Sequence, residues 1–279
     1  MNERGATLDI VIVNYNTRDE LANCLQSLQS HPPSGLGNIF VVDNASSDGS
    51  QSLVRDQMPQ VTLLALDRNV GFAAANNVAL LRSTASLVLL LNSDTVVPAG
   101  AIDTLVVRLE ATGAVAVGPR LVDAAGAPEI SFGPMLTPWT EWRQQRRLRR
   151  ATQQSPRARR AVARWLARER DVDWLTGACL LVRREAAVGA GLLDERYFMY
   201  EEDVDFCAAL RAAGGRIVFA PSAQVTHLRG RSAASPAAAS GRSGPSHYDV
   251  SHVRFYEKHL PRWAPALRLW LRLRGRAIR

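Results

Sequence analysis

The chain has 279 residues, 47% of them hydrophobic, which is enough for the core of one large α/β domain and excludes a disordered chain. No window approaches the roughly 18 consecutive apolar residues of a membrane span, and residues 1–7 lack the charged-then-apolar pattern of a signal peptide, so a cytoplasmic protein is expected. The net charge of +8 averages unlike parts: residues 141–170 hold eleven Arg against Glu141 and Glu169, and residues 252–279 hold seven Arg and Lys258 against Glu257. An acidic body with two basic arms suits an anionic surface as partner.

A first strand, Leu8 to Val13, ends at Asn14-Tyr15-Asn16. Thr17 and Glu20 have capping-box spacing and open a helix through about Ser30. Ile39 to Val42 is a second strand, ending at Asp43-Asn44, and Ala45 to Gly49 is turn chemistry before another helix. Val61 to Leu66 is a third strand, ending at Asp67-Arg68-Asn69-Val70-Gly71, followed by a helix of small residues, Phe72 to about Arg82. Leu87 to Leu91 is an unbroken apolar run, as expected of a strand buried on both faces, and it stops at Asn92-Ser93-Asp94. This cadence predicts a doubly wound, mostly parallel sheet whose carboxyl edge is lined with Asn and Asp.

Pro98 is read as the start of a further helix and Ala114 to Val117 as a further strand. Residues 124–138 read as loop and residues 139–170 as an Arg-rich, partly helical insertion. Trp174 to Val182 is apolar again and contains Thr176-Gly177. Phe198 to Asp205 leads into a helix that Gly214-Gly215 ends, Arg216 to Ala220 is a short strand, and His227 follows. Residues 229–246 are Gly, Ser, Ala, Pro and Arg and read as a flexible loop. Leu267, Trp270 and Leu271 fall at i, i+3 and i+4, with Arg268, Arg272, Arg276 and Arg279 among them, as in a basic amphipathic helix lying on an anionic membrane face. Cys24, Cys179 and Cys207 match no zinc or disulfide spacing and are expected as buried thiols.

Three groups of residues carry chemistry. Asp94, at a strand's carboxyl end, is placed to hold a hard divalent cation, while Asp43 and Asn69-Val70-Gly71 suit a nucleotide and its phosphates. Glu201-Glu202-Asp203-Val204-Asp205 sets four carboxylates beside the apolar Tyr197 to Tyr200, where a general base with a raised pKa is expected. His227 suits a second metal or phosphate ligand.

Val13-Asn14-Tyr15-Asn16, Val42-Asp43-Asn44-Ala45-Ser46-Ser47-Asp48-Gly49-Ser50, Asn69-Val70-Gly71-Phe72, Asn92-Ser93-Asp94 and Phe198-Met199-Tyr200-Glu201-Glu202-Asp203-Val204-Asp205 together resemble a family 2 inverting glycosyltransferase. The likeness is to the rhamnosyltransferase-type members that build bacterial cell-surface polysaccharide, and it runs from Leu8 to His227. It implies the nucleotide-sugar A-type fold, an α/β Rossmann-like domain over residues 1–228. Within it, residues 8–120 would be the nucleotide-binding half and residues 121–228 the acceptor-binding half, followed by the loop and a helical segment over 247–279.

The resemblance also implies roles. Val13, Tyr15, Asp43, Asn69, Gly71, Asn77, Asn92 and Ser93 would bind a dTDP- or UDP-linked sugar, dTDP-rhamnose being the leading candidate. Asp94 and His227 would hold Mg²⁺ or Mn²⁺, Asp203 would be the base with Glu202 its rival, and Trp174, Thr176, Gly177 and Tyr200 would border a glycan or polyprenyl-linked acceptor. Ala209 stands where the family commonly has Arg, with Arg211 a nearby substitute. The implied location is the inner face of the plasma membrane. The same fold acting with another nucleotide sugar on a protein or small molecule is the alternative. Nucleic-acid binding through residues 143–170, with Trp142 and Trp165 stacking on bases, leaves the ordered carboxylates unexplained.

Overall fold

The computed structural model describes residues 7–152, 156–228, 246–276 and 278. The predicted loop therefore lies outside the described residues up to position 245, as does Arg279.

Strands β1 (Leu8–Asn14), β2 (Leu36–Asp43), β3 (Thr62–Ala65) and β4 (Leu87–Asn92) pair in parallel in the order β3-β2-β1-β4. They are linked by α1 (Arg18–Ser30), α2 (Ser50–Gln57) and α3 (Phe72–Arg82). The apolar run of β4 alternates strictly. Val88 and Leu90 face the side that holds Ala75, Ala79 and Leu80 of α3. Leu87, Leu89 and Leu91 face the side that holds Leu21 and Leu25 of α1. Each fully buried leucine contributes on the order of 2 kcal/mol, so a strand sandwiched in this way is fixed in register by its own sequence.

The second half departs from a purely parallel sheet. β5 (Thr95–Val96), α4 (Ala101–Thr112), β6 (Ala116–Val122), β7 (Phe132–Gly133), α5 (Pro138–Thr152), α6 (Pro156–Leu166), β8 (Arg170–Asp171), β9 (Trp174–Leu175), β10 (Cys179–Arg183), α7 (Arg184–Gly189), α8 (Glu202–Ala212) and β11 (Ile217–His227) follow in order. β10 enters between β4 and β6 and runs antiparallel to both. β11 lies parallel to β6, and its far end pairs antiparallel with β5, so the short strand expected over Arg216 to Ala220 is eleven residues long. β7 and β9 form a separate antiparallel pair.

Several local expectations are corrected. Thr17 makes no side-chain cap: its hydroxyl donates to Asn14 Oδ1 (2.7 Å) and lies 2.8 Å from Ser93 Oγ, a stronger claim than a helix end. The fourth helix begins at Ala101 behind Gly100 in the left-handed region, because the Pro98 carbonyl closes a turn onto the Ala101 N–H instead. Cys24, Cys179 and Cys207 are buried and free, as expected.

Two helices complete the chain, α9 (His247–His259) and α10 (Ala264–Leu273). α9 opens with a capping box between Ser246 and Asp249. The stripe expected on α10 is divided: Leu271 is buried and Leu267 packs on the core, while Leu269, Trp270 and Leu273 are exposed. α9 docks through charge as well as apolar contact. Asp205 of α8, only 2% exposed, accepts from Lys258 Nζ (2.8 Å), from the His259 ring (2.6 Å) and from Tyr197 Oη (3.3 Å). Asp205→Ala removes the acceptor shared by these donors, of which Lys258 and His259 keep 34% and 28% exposure, so a loss of about 2 kcal/mol is expected in urea unfolding. An unchanged midpoint would mean that the Asp205 contacts contribute nothing to holding α9.

Candidate functional site

Because β2, β1 and β4 are neighbours, their carboxyl ends bring Asp43, Asn14 and Asn92 side by side. The floor beneath them is a closed polar network. Asn14 Nδ2 donates to Asp43 Oδ2 (2.9 Å) and to Ser46 Oγ (3.1 Å), and Thr17 joins Asn14 to Ser93. Asp43 Oδ1 accepts from the Ser46 N–H (2.9 Å) and Gln51 Nε2 (2.8 Å). Asp43 is 0% exposed, so, contrary to its predicted donor contact, it acts here as the brace of the two loops.

Above the floor, Val13, Tyr15, Asn69, Gly71, Asn92 and Ser93 line one cleft, together with Asn44, Phe72, Phe198 and Met199. Six of the eight expected donor residues are thus brought together. Asn77 is not among them. It is buried in α3, where its amide donates to Leu193 O (2.8 Å) and Glu195 Oε1 (3.0 Å) and accepts from the Leu193 N–H (3.1 Å). It therefore ties α3 to the loop before α8 rather than facing the cleft.

Asn44 supplies what sequence reasoning did not assign. Its Oδ1 accepts from the Val70 N–H (2.9 Å) and its Nδ2 donates to Gly71 O (3.2 Å), which fixes the Asn69-Val70-Gly71 loop. Gly71 has φ +89°, and a Cβ there would overlap the Phe198 backbone. Its small size thus serves first to admit Phe198, whose carbonyl accepts from the Phe72 N–H (2.7 Å).

The register of β11 against β5 pairs His227 with Thr95 and so carries its ring to Asp94. His227 Nε2 lies 3.3 Å from Asp94 Oδ1, and Nδ1 lies 3.2 Å from Glu129 Oε2, a partner that the sequence did not single out. Burial alone would lower the His227 pKa, but the two carboxylates outweigh it and raise it to about 9. Asp94 is 2% exposed, and its Oδ1 meets no partner besides the His227 ring. Among the described residues no group of three or more His, Cys, Asp or Glu forms a ready-made metal cage. A buried carboxylate oxygen beside an imidazole nevertheless fits a cation whose other ligands are phosphate oxygens and water.

Asp203 is fastened by backbone N–H groups. Its Oδ2 accepts from the Gly177 N–H (2.9 Å) and its Oδ1 from the Val204 N–H (2.8 Å). Gly177 lies between Asp203 and the cleft-lining Phe72, and the next carbonyl, Ala178 O, accepts from the Asn92 N–H (3.0 Å). A continuous path therefore runs from Asp203 to the end of β4, two residues short of Asp94. Burial raises the pKa of Asp203, and burial together with the Asp203 charge raises that of Glu202 well above the carboxylate range. Glu202 is buried with Oε2 unbonded, whereas Asp203 is half-buried as a residue and has both carboxylate oxygens bonded to backbone N–H groups.

Of the expected acceptor residues, Thr176 and Gly177 adjoin Asp203, and Tyr200 is 40% exposed just before α8. Trp174 is corrected: it is buried against Gly133, and its indole N–H donates to Pro134 O (2.9 Å). Arg211 is corrected too, being paired with Asp173 (2.9 Å) at the far end of α8. Trp165 stacks on Phe132 at 4.5 Å and is part of the packing.

Residues 9–186 match the family described as Glycosyl transferase family 2. The chain is 32% identical to the N-acetylglucosaminyl-diphospho-decaprenol L-rhamnosyltransferase of Mycobacterium tuberculosis (strain CDC 1551 / Oshkosh), over 95% of this chain and 89% of that one. It is 41% identical to the rhamnosyltransferase WbbL of Escherichia coli (strain K12) over a shorter stretch, 20% of this chain and 21% of that one. Among solved structures, GalNAc-T7 with UDP, GalNAc and Mn²⁺ superposes with a TM-score of 0.64 at 17% identity, covering 92% of this chain and 48% of that one. Residues 1–349 of Staphylococcus aureus TarS superpose with a TM-score of 0.56 at 17% identity, covering 80% and 60%. Likeness at that level establishes the fold.

His227 and His252 each lie between two carboxylates, and in each the carboxylates overcome burial and raise the pKa to about 9. A raised folded-state pKa gives stability that is complete below the unfolded value of about 6.5 and is lost as pH rises through the folded one. The raised carboxyl groups act in the same sense. The thermal midpoint in chelator is therefore expected to fall between roughly pH 6.5 and 9. A midpoint that rises over this interval would contradict both assignments.

Proposed function

The chain belongs to glycosyl transferase family 2 and is a glycosyltransferase, and from that premise we propose that it moves a sugar with inversion from a nucleoside diphosphate to a hydroxyl of a lipid-linked glycan acceptor. Two of its relatives carry the name rhamnosyltransferase, which supports rhamnose as the sugar and dTDP-rhamnose as the donor. The observation that carries the reading is the shared sheet edge. Asn92 lines the cleft, its Nδ2 lies 3.4 Å from His227 Nε2, and its N–H donates to Ala178 O, next to the Gly177 whose N–H holds Asp203, which supports one site shared by the base and the Asp94–His227 pair.

The cleft residues hold the nucleotide, with the stiff Asn14–Asp43 floor beneath it. The anomeric carbon is presented toward Asp203, which takes the proton of the acceptor hydroxyl as that oxygen attacks from the face opposite the leaving diphosphate. A raised pKa brings Asp203 closer to the affinity that proton transfer requires, and the Gly177 N–H keeps the carboxylate aimed. Asp94 and His227 would hold Mg²⁺ or Mn²⁺, which when bound neutralises charge on the departing diphosphate. Protonated His227 must give up its proton to become a ligand, so metal affinity should increase with pH.

Among the described residues no helix is long and apolar enough to cross a membrane. α10 instead offers Leu269, Trp270 and Leu273 to solvent, with Arg274 stacked 3.9 Å over Trp270. Exposed apolar side chains among arginines suit peripheral attachment to an anionic bilayer, where a polyprenyl-linked acceptor would be met.

Asp203→Asn is expected to lower kcat by at least about a hundredfold while leaving nucleoside diphosphate affinity near wild type. Asp94→Ala should reverse this pattern, weakening metal-dependent binding of dTDP or UDP in calorimetry. Wild-type turnover by Asp203→Asn would remove the base, and equal affinities with and without chelator would remove the metal. Flotation with vesicles containing phosphatidylglycerol should carry the wild-type protein and release it when Trp270 and Leu273 are both changed to Ser. Equal flotation of both proteins would refute the membrane contact.

A further inference from the structure

We propose that His252, on α9, is a positioning residue for Asp203: its imidazole bridges Glu201 and Glu141 and thereby holds the backbone turn from which Asp203 is presented to the cleft. The inference deepens the proposed reaction and rests on Asp203 as its base.

The turn is unusual. Tyr200 and Glu201 have φ of +71° and +66°, two consecutive residues other than glycine in the left-handed region. Such a backbone persists only where its surroundings over-determine it. Glu201 is the N-cap of α8, its carbonyl accepts the Asp205 N–H (2.9 Å), and Asp203 stands within that first turn. A displacement of Glu201 therefore displaces Asp203 from the Gly177 N–H.

His252 holds Glu201 in place. Its Nδ1 donates to Glu201 Oε1 (2.9 Å) and its Nε2 lies 3.2 Å from Glu141 Oε2 on α5. The ring is fixed by Tyr248, stacked at 5.2 Å, and by Tyr256 at 4.9 Å. Glu201 and His252 are both buried, so each charge depends on the other for its solvation. The same helix grips the loop just before the turn, through Ser251 Oγ to Met199 O (2.7 Å) and His247 stacked on Phe198 at 4.8 Å. The hydrogen bonds and ring contacts of His252 go to Glu201, Glu141, Tyr248 and Tyr256. Its effect on the reaction passes through the backbone.

The test uses the full chain with His252→Gln, which keeps a donor and removes the charge. Expected are a kcat at least about tenfold lower, a donor KM and dTDP or UDP affinity within about threefold of wild type, and faster amide exchange at residues 199–204. Glu141→Gln, which leaves the Glu201 bond in place, should show a smaller change in the same direction, and it carries the test if His252→Gln does not fold. Unchanged exchange at 199–204, or a kcat within twofold of wild type, would overturn the inference. Equal loss of kcat and donor affinity would overturn it too, since general loosening would explain both. If wild-type protein turns over no nucleotide sugar, the reaction itself has been misread, and the exchange comparison alone decides whether His252 holds the turn.

Discussion

Four carboxylates in five residues cannot all stay charged in an apolar setting unless opposite charge or hydrogen-bond donors meet each of them, and this constraint shapes the second half of the molecule. Asp205 is met by Lys258 and His259, Glu201 by His252, and Asp203 by two backbone N–H groups. Lys258 also reaches Asp194, which Arg196 clamps as well; the pair of cations holds that carboxyl below its usual range. Most of the compensating charge is thus carried by α9, some fifty positions downstream of the acidic motif. The basic character of that region has a structural use before any partner is considered.

The nucleotide side of the cleft is built on the opposite principle. Its floor relies on neutral amides and hydroxyls, with Asp43 the single carboxylate and fully bonded. Such a network is stiff because every member is satisfied, and it keeps the strand ends in register without presenting charge to an anionic ligand. At that edge the buried Asp94 Oδ1 faces the histidine. Charge is therefore concentrated at the two places where a reaction would need it.

What the sequence revealed follows from the range of the interactions involved. The strands β1 to β4 and the polar residues that end them were legible because alternation and turn chemistry act over a few neighbours. So was the pairing of Asp94 with His227 in one site, through family resemblance. Neither the entry of β10 as an antiparallel strand nor the length of β11 was legible, because long-range partners decide both. Asn77, Trp174 and Arg211 illustrate the same limit. Each has a polar group that looks available in the sequence, and each is engaged by a residue distant in the chain: Leu193, Pro134 and Asp173. Glu129 and His252 escaped notice for the converse reason, since nothing local marks them.

β11 has one more consequence. Until this last strand is in place, β6 offers an open row of backbone donors and acceptors along Ala116–Val122, flanked by buried apolar side chains. Synthesis must run past position 227 before that row is capped, and the same strand brings His227 to Asp94. A nascent chain that has completed the region matched by the family, residues 9–186, is therefore still sticky along one side and still lacks the histidine that meets Asp94. Closing the sheet against self-association and bringing His227 to Asp94 are one folding event.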